Sequence, residues 1–355
     1  MATGAITSTR SVLTLLLLVV ATVAACSGTG GDGDGSPTTA GTAGPGSAAP
    51  STIAVTRPQL PAIQTLAKAG GVAIKATNQA DWTLVAHGRA WVAGLGKGVG
   101  VYDARTGRPL GSVAVPQLPC AAMDEGFGAV WTATCGSAGI SRIDPAKGRV
   151  TGRLELPVPS DGESSIGAGE GAVWAITDRS ACTSCAVARI DPKSMRVTNK
   201  YLVPEGATAI RAGLGGVWIT YFETDRVVRL DPATGKTVAT IPVASGPRFF
   251  DVGAGGVWVM AQRAGALCQI DPEGDRLVGC SVIDPNGVQG GDLTVGSGFV
   301  WFRGSDELVA QIDPKTGRVV RRIGPSKGSG SASAGSGQLW ISAHDVATVY
   351  RVPVG

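Results

Sequence analysis

Two histidines, one Cys-x-x-Cys pair and three arginines set near aromatic residues are the groups with which this 355-residue chain could move a proton, hold a metal or grip a ligand. Cys182-Thr-Ser-Cys185 has the spacing of a dithiol redox centre or half a metal site. No second such pair accompanies it and no βαβ pattern surrounds it, so it reads as a disulfide pinning a loop. His87 and His344 are too few and too scattered for a histidine cluster, and no Ser-His-Asp constellation or nucleophile elbow can be assigned. Gly94-Leu-Gly-Lys-Gly-Val-Gly100 is rich in glycine but lacks the helix a phosphate site needs, and reads as a hairpin turn. The sequence therefore identifies no reaction, metal or cofactor. It offers instead a set of binding residues: Trp82, Tyr221, Phe222, Arg248, Phe249, Arg263, Asp292, Arg303 and His344.

The elements that must position them repeat. Trp91, Trp131, Trp174, Trp218, Trp258, Trp301 and Trp340 are spaced by 40, 43, 44, 40, 43 and 39 residues, and all but the first close a Gly-x-Gly-x-(Val/Leu)-Trp motif. Downstream stand Tyr102-Asp103, Ile143-Asp144-Pro145, Ile190-Asp191-Pro192, Leu230-Asp231-Pro232, Ile270-Asp271-Pro272 and Ile312-Asp313-Pro314. Within one repeat, Val217-Trp218-Ile219 is β-branched or aromatic throughout, as a strand buried on both faces requires. In Asp231-Pro-Ala-Thr-Gly235 the Asp side chain caps a turn, Pro presets φ and Gly takes the left-handed position. Four antiparallel strands in about 40 residues make one propeller blade, which buries both faces only when stacked on neighbours. Seven repeats predict an all-β, seven-bladed β-propeller of four-stranded blades spanning 71–355.

The last repeat, from about Ser329 to Val354, has three strands, whereas Gly71–Thr77 is a lone strand without a blade. The N-terminal strand is therefore expected to complete the last blade and close the ring. In this topology the loops between second and third strands share a face with those joining blades. That face collects the nine binding residues with Asp81, Glu163, Glu223 and Asp345. The ligand is expected there, offset from the axis toward blades 4 to 6, with Arg248 and Arg303 both pointing at the mouth.

A net charge of +4 with no basic run gives no electrostatic case for nucleic acid. With 43% hydrophobic residues, 16% charged and 53 glycines, the composition suits short strands and tight turns. Residues 1–26 read as a signal peptide: Arg10, an apolar run from Val12 to Val20, then Val23-Ala-Ala-Cys26. That tetrapeptide resembles the bacterial lipobox, which implies that Cys26 carries a lipid anchor. Residues 27–52, rich in Gly, Ser, Thr, Ala and Pro, are a flexible tether, and 53–70 a lead-in in which Ile63–Lys68 reads as one helical turn. Six cysteines remain in an exported chain, and the strand register pairs them as Cys120–Cys135, Cys182–Cys185 and Cys268–Cys280.

The Gly255-Gly-Val-Trp258 and Val228-Arg-Leu-Asp-Pro-Ala-Thr-Gly235 elements resemble those of bacterial seven-bladed propellers of the YVTN and streptogramin-lyase-like (virginiamycin B lyase-like) group. The resemblance covers about 71–355 and implies the fold. Streptogramin lyases open a cyclic depsipeptide using histidine, glutamate and a divalent metal, at motifs resembling Trp-Phe-Thr-Glu with a nearby His. Here Trp340-Ile-Ser-Ala-His344 has Ser and Ala at the Thr-Glu positions. The leading expectation is a membrane-tethered extracytoplasmic binding or scaffold module. A lyase or lactone-acting enzyme, and a propeller subunit of a redox complex, are the alternatives.

Overall fold

The computed structural model describes residues 53–76, 80–94, 96, 98–115, 122–134, 139–156, 163–177, 185–305, 307–325 and 327–355. The signal segment, the tether, Cys120, Cys135, Cys182 and the side chain of Cys185 lie outside the described residues. Seven blades of four antiparallel strands follow one another along the chain. Six take their strands in sequence order, the seventh takes its outer strand from Val72–Lys75, and blades 5 and 6 each carry a fifth, parallel strand from the lead-in. Their inner strands are Ala80–Ala86, Ala122–Gly126, Ile166–Gly169, Ala207–Gly213, Pro247–Gly253, Asp292–Gly296 and Ala332–Gly335. Each contacts the next, and the seventh contacts the first. The chain forms a seven-bladed β-propeller.

Burial follows the distance from the axis. Second strands are buried almost residue for residue, as in Gly216–Tyr221 and Gly256–Ala261, whereas outer strands such as Thr237–Pro242 are largely exposed. The glycine motif has two separate causes, seen in blade 3. Gly169 lies against the neighbouring inner strand, where a Cβ would stand 2.4 Å from the Ala212 carbonyl oxygen. Gly171, at φ +75°, follows Glu170 at φ +49°, a two-residue turn with both centres left-handed that matches the strand twist. The Trp174 indole then donates to the Gly169 carbonyl at 3.0 Å. In the turn between the third and fourth strands of blade 4, the Asp231 carboxylate accepts from the backbone N–H of Ala233 and Thr234 and from the Thr234 hydroxyl. These bonds hold its pKa below the usual carboxylate range.

Ring closure is as expected. Val72–Lys75 pairs antiparallel with Thr348–Pro353 as the fourth strand of blade 7. The lead-in departs from expectation. Ile63–Thr65 is a strand, parallel to the outer strand of blade 6, and Val55–Thr56 lies parallel to the outer strand of blade 5. The exposed outer edges offer unpaired backbone groups, and Pro58 and Pro61 keep the chain between the two pairings extended. Arg322 donates to the Pro61 carbonyl and Arg321 to that of Ala69, at 2.9 Å, so residues 53–76 strap blades 5, 6 and 7 in turn. Cys268 and Cys280, cross-strand partners in blade 5, are disulfide-bonded. His87 sits in the turn after the inner strand of blade 1, at φ +53°, 3.6 Å from Glu125 of blade 2.

Candidate binding site at the mouth of the axial channel

The inner strands are sheet edges, so their inward N–H groups need partners from outside their own blade. Side chains of the preceding blade supply them. The Asp124 carboxylate accepts from Ala168 N, that of Asp251 from Val295 N, and the Ser333 hydroxyl from Val85 N. Each acceptor lies opposite its blade's repeat tryptophan in the strand register. Arg211, at the same register position in blade 4, stands 4.0 Å from Asp251 and donates to the Ile166 carbonyl. Desolvation dominates the carboxylates here. It pushes the pKa of Asp124 up to about 6 against the pull of Arg211, and that of Asp292 to about 7.

Above this tier the channel narrows to a cavity of about 20 Å³, lined by residues of blades 1, 3, 5, 6 and 7, among them Asp81, Trp82, Glu163 and Phe249. That is room for one water. The closure is aromatic: Trp82 of blade 1 and Phe249 of blade 5 meet edge to face across the axis, with centroids 6.2 Å apart. Arg248 stands over Phe249, 5.3 Å from the ring centroid, and reaches past blade 4 to Glu163 at 2.6 Å. On the rim, His344 Nδ1 is 3.3 Å from Asp81 and Nε2 is 2.5 Å from Asp345. Burial raises the Asp81 pKa to about 6, the adjacent His344 opposing the rise and Glu163 and Asp345 adding to it.

The mouth thus brings together Trp82, Arg248, Phe249 and His344 of the expected residues. Arg263 and Phe222 form a second group on blades 4 and 5. The guanidinium stacks 4.2 Å from the ring centroid and donates to both oxygens of Glu223, at 2.7 and 2.6 Å. Tyr221 does not reach this surface; it is 1% exposed, beneath Arg226, and burial pushes its pKa up to about 12. Asp292 is buried too, accepting from Ala332 N.

Arg303 requires a correction. It was expected beside Arg248 at the mouth, but it is 1% exposed and its guanidinium donates to the carbonyls of Gly328 and Ser342 in blade 7. Burial lowers its pKa to about 10, with Asp292 opposing. The physical reason is the glycine-rich entry to blade 7, whose bare carbonyls fold over the end of the strand that carries it. Arg303 is an interblade tie. Sequence reasoning also left Asp81, Glu163 and Asp345 as separate loop residues; their only signal was a common face, since ring closure is what joins blade 1 to blade 7.

These features define a propeller with an aromatic-closed, carboxylate-rich axial mouth. No protein-family model matches the chain, and no curated protein matches it. Among solved structures it is similar to that described as the crystal structure of BamB from Moraxella catarrhalis. The TM-score is 0.50 at 12% identity, over 76% of this chain and 81% of that one. At that identity the likeness concerns the fold.

Proposed function

We propose that this protein is an exported, lipid-anchored propeller that works as a binding or scaffold module, docking a partner on the face that carries the axial mouth. The observation that carries this reading is the Trp82–Phe249 contact. With the mouth closed to about one water, recognition must take place across the face and not inside the channel. The polar groups of that face are also suited to exchange partners. Arg248–Glu163 and Arg263–Glu223 are partly exposed ion pairs beside aromatics, of low intrinsic worth and open to regrouping with a partner's carboxylates. The BamB likeness supports a fold compatible with such a role. The lipobox resemblance supports the anchor at Cys26, with 27–52 as the tether to the extracytoplasmic domain.

A photo-crosslinking residue at Thr224, on the mouth face, tests the reading against one at Ala233, in the turn at the opposite end of blade 4. In intact membranes a discrete adduct is expected from the first position and not the second. Cys26→Ser is expected to release the protein from the membrane fraction. Equal labelling from both faces would overturn the docking assignment. Turnover of a cyclic depsipeptide or lactone, lost in His344→Ala, would replace binding with catalysis.

A further inference from the structure

The seven blades offer an internal comparison at their junctions. Five repeat tryptophans, Trp91, Trp131, Trp174, Trp218 and Trp258, precede a blade with an Asp-Pro turn, while Trp340 precedes the Asp103-Ala104 turn of blade 1. Cationic side chains fill most of these junctions. In blade 4, Arg229 stands 5.2 Å from the Trp218 centroid and donates to the Pro272 carbonyl of blade 5 at 2.8 Å. Arg142 of blade 2 donates to the Pro192 and Lys193 carbonyls, and Arg351 of blade 7 to that of Arg105. Arg89 of blade 1 does the same at Pro145, and stands 5.9 Å from Trp91. In blade 3, Arg189 covers Trp174 and Tyr201 stacks on it. In blade 6, Arg321 enters from the fourth strand and donates to Pro353 and Ala69.

The junction between blades 5 and 6 differs. The residue opposite Trp258 on the third strand is Gln269, and its fourth-strand partner is Gly279, where a Cβ would meet nothing within 4 Å. Among the described residues no side chain donates to the Pro314 or Lys315 carbonyl, the counterparts of the acceptors used in blades 3 and 5. A cavity of about 370 Å³ lies here, bounded by Trp258, Gln269, Gly279, Thr316 and Gly317, with Thr56 of the lead-in on its outer side.

We propose that this slot binds an arginine side chain presented by a partner polypeptide. The incoming arginine displaces the Gln269 side chain from the indole of Trp258, itself only 1% exposed, and takes the place that the protein's own arginines occupy at the other junctions. The chemistry is the one that Arg89 and Arg229 display in full and the other junctions in part: a planar cation against an indole, donating to the carbonyls of an Asp-Pro turn. Arg229 also pairs with the Asp275 carboxylate at 2.8 Å, but a carboxylate is not required: Arg142 uses the turn carbonyls of blade 3 together with Thr151. A lysine ammonium lacks the planar face and the fork, so it fits the slot less well. This site is remote from the mouth and stands or falls independently of the docking face proposed above.

The test uses the ¹⁵N indole signals of the full chain, whose eight tryptophans give few resonances, with Trp258 assigned by Trp258→Phe. Titration with Nα-acetyl-arginine methylamide is expected to shift the Trp258 signal saturably, and the lysine analogue to shift it several-fold less at equal concentration. Gln269→Arg supplies the missing side chain in cis; it is expected to abolish the shift and to raise Tm by roughly 2–4 °C, with Gln269→Ala unchanged. Gly279→Arg, entering from the fourth strand as Arg321 does in blade 6, gives a second blocking variant should the first fold poorly. A Trp258 signal that stays still, moves equally with the lysine analogue, or still moves in both blocking variants overturns the proposal.

Discussion

Trp340 Nε1 donates to the carbonyl oxygen of Ala104 at 2.9 Å, across the point where the last blade meets the first. In the other six blades the equivalent indole bonds within its own blade, to the residue five positions earlier, as Trp258 does to Gly253. Blade 7 has redirected this bond to the seam, where Tyr102 also packs on the Trp340 ring at 5.5 Å and Arg351 reaches the Arg105 carbonyl. The seam is therefore held by side chains from blade 7 as well as by the Val72–Lys75 strand. A chain beginning at Ala80 should expose the Thr348–Pro353 edge and aggregate, whereas one beginning at Ile53 should remain monomeric by light scattering. A soluble monomer from Ala80 would show that the side-chain seam alone closes the ring.

Arg248 and Arg303, both next to a phenylalanine and both expected at the mouth, should separate cleanly on mutation. Arg303→Ala removes a buried donor set and leaves the Gly328 and Ser342 carbonyls unpaired, a loss of about 2–4 kcal/mol. Arg248→Ala breaks a partly exposed pair with Glu163 and should cost less than about 1 kcal/mol. Urea unfolding measures both. Equal effects would mean that Arg248, too, is an interblade tie.

How much of this was legible follows from what each feature depends on. The tryptophan spacing, the glycine pairs and the Asp-Pro turns are local and repeated, so periodicity alone exposes the blades and even the missing fourth strand of the last one. Cys268–Cys280 could be read because both positions lie on one hairpin. The fate of Arg303 could not. Its own strand says that it sits at a strand end, but its burial comes from the Gly328 turn of the next blade. The lead-in pairings are hidden for a related reason: Thr56 bonds to Cys280, 224 residues away, through two- and three-residue parallel strands too short to alternate. The joining of Asp81 with His344 likewise needs the closed ring before it exists.

The Cys268–Cys280 bond lies beneath the lead-in, with Val55 paired to Cys280 and the Thr56 hydroxyl donating to the Cys280 carbonyl at 3.2 Å. Replacing both cysteines by serine should lower Tm and, in hydrogen exchange, loosen Val55–Thr56 along with the outer strand of blade 5. The bridge spans only 12 residues of a hairpin already held by its ladder, so the loss should be at most about 3 kcal/mol. Unchanged protection of Val55 and Thr56 would show that the strap docks independently of the bridge.

The axial carboxylates give stability an unusual dependence on pH. Asp81 and Asp124 have folded pKa values raised to about 6 and Asp292 to about 7, chiefly by desolvation, while an unfolded chain protonates such groups near 4. Between about pH 4 and 7 the folded state therefore binds more protons than the unfolded one, so stability should rise as pH falls through this window. The turn carboxylates Asp103, Asp144, Asp191, Asp231 and Asp271 act in the opposite sense. Their pKa values are lowered by backbone hydrogen bonds, and the stability they confer is lost below about pH 4. Tm should thus increase from pH 8 to about pH 5 and fall again below pH 4. Asp292→Asn keeps an acceptor for Ala332 N and removes one of the titrating groups. Its Tm should exceed that of the parent at pH 8 and converge with it near pH 5. A parent Tm that is flat or falling from pH 8 to pH 5 would mean that the channel carboxylates stay ionised, and that the Arg211 guanidinium outweighs their burial.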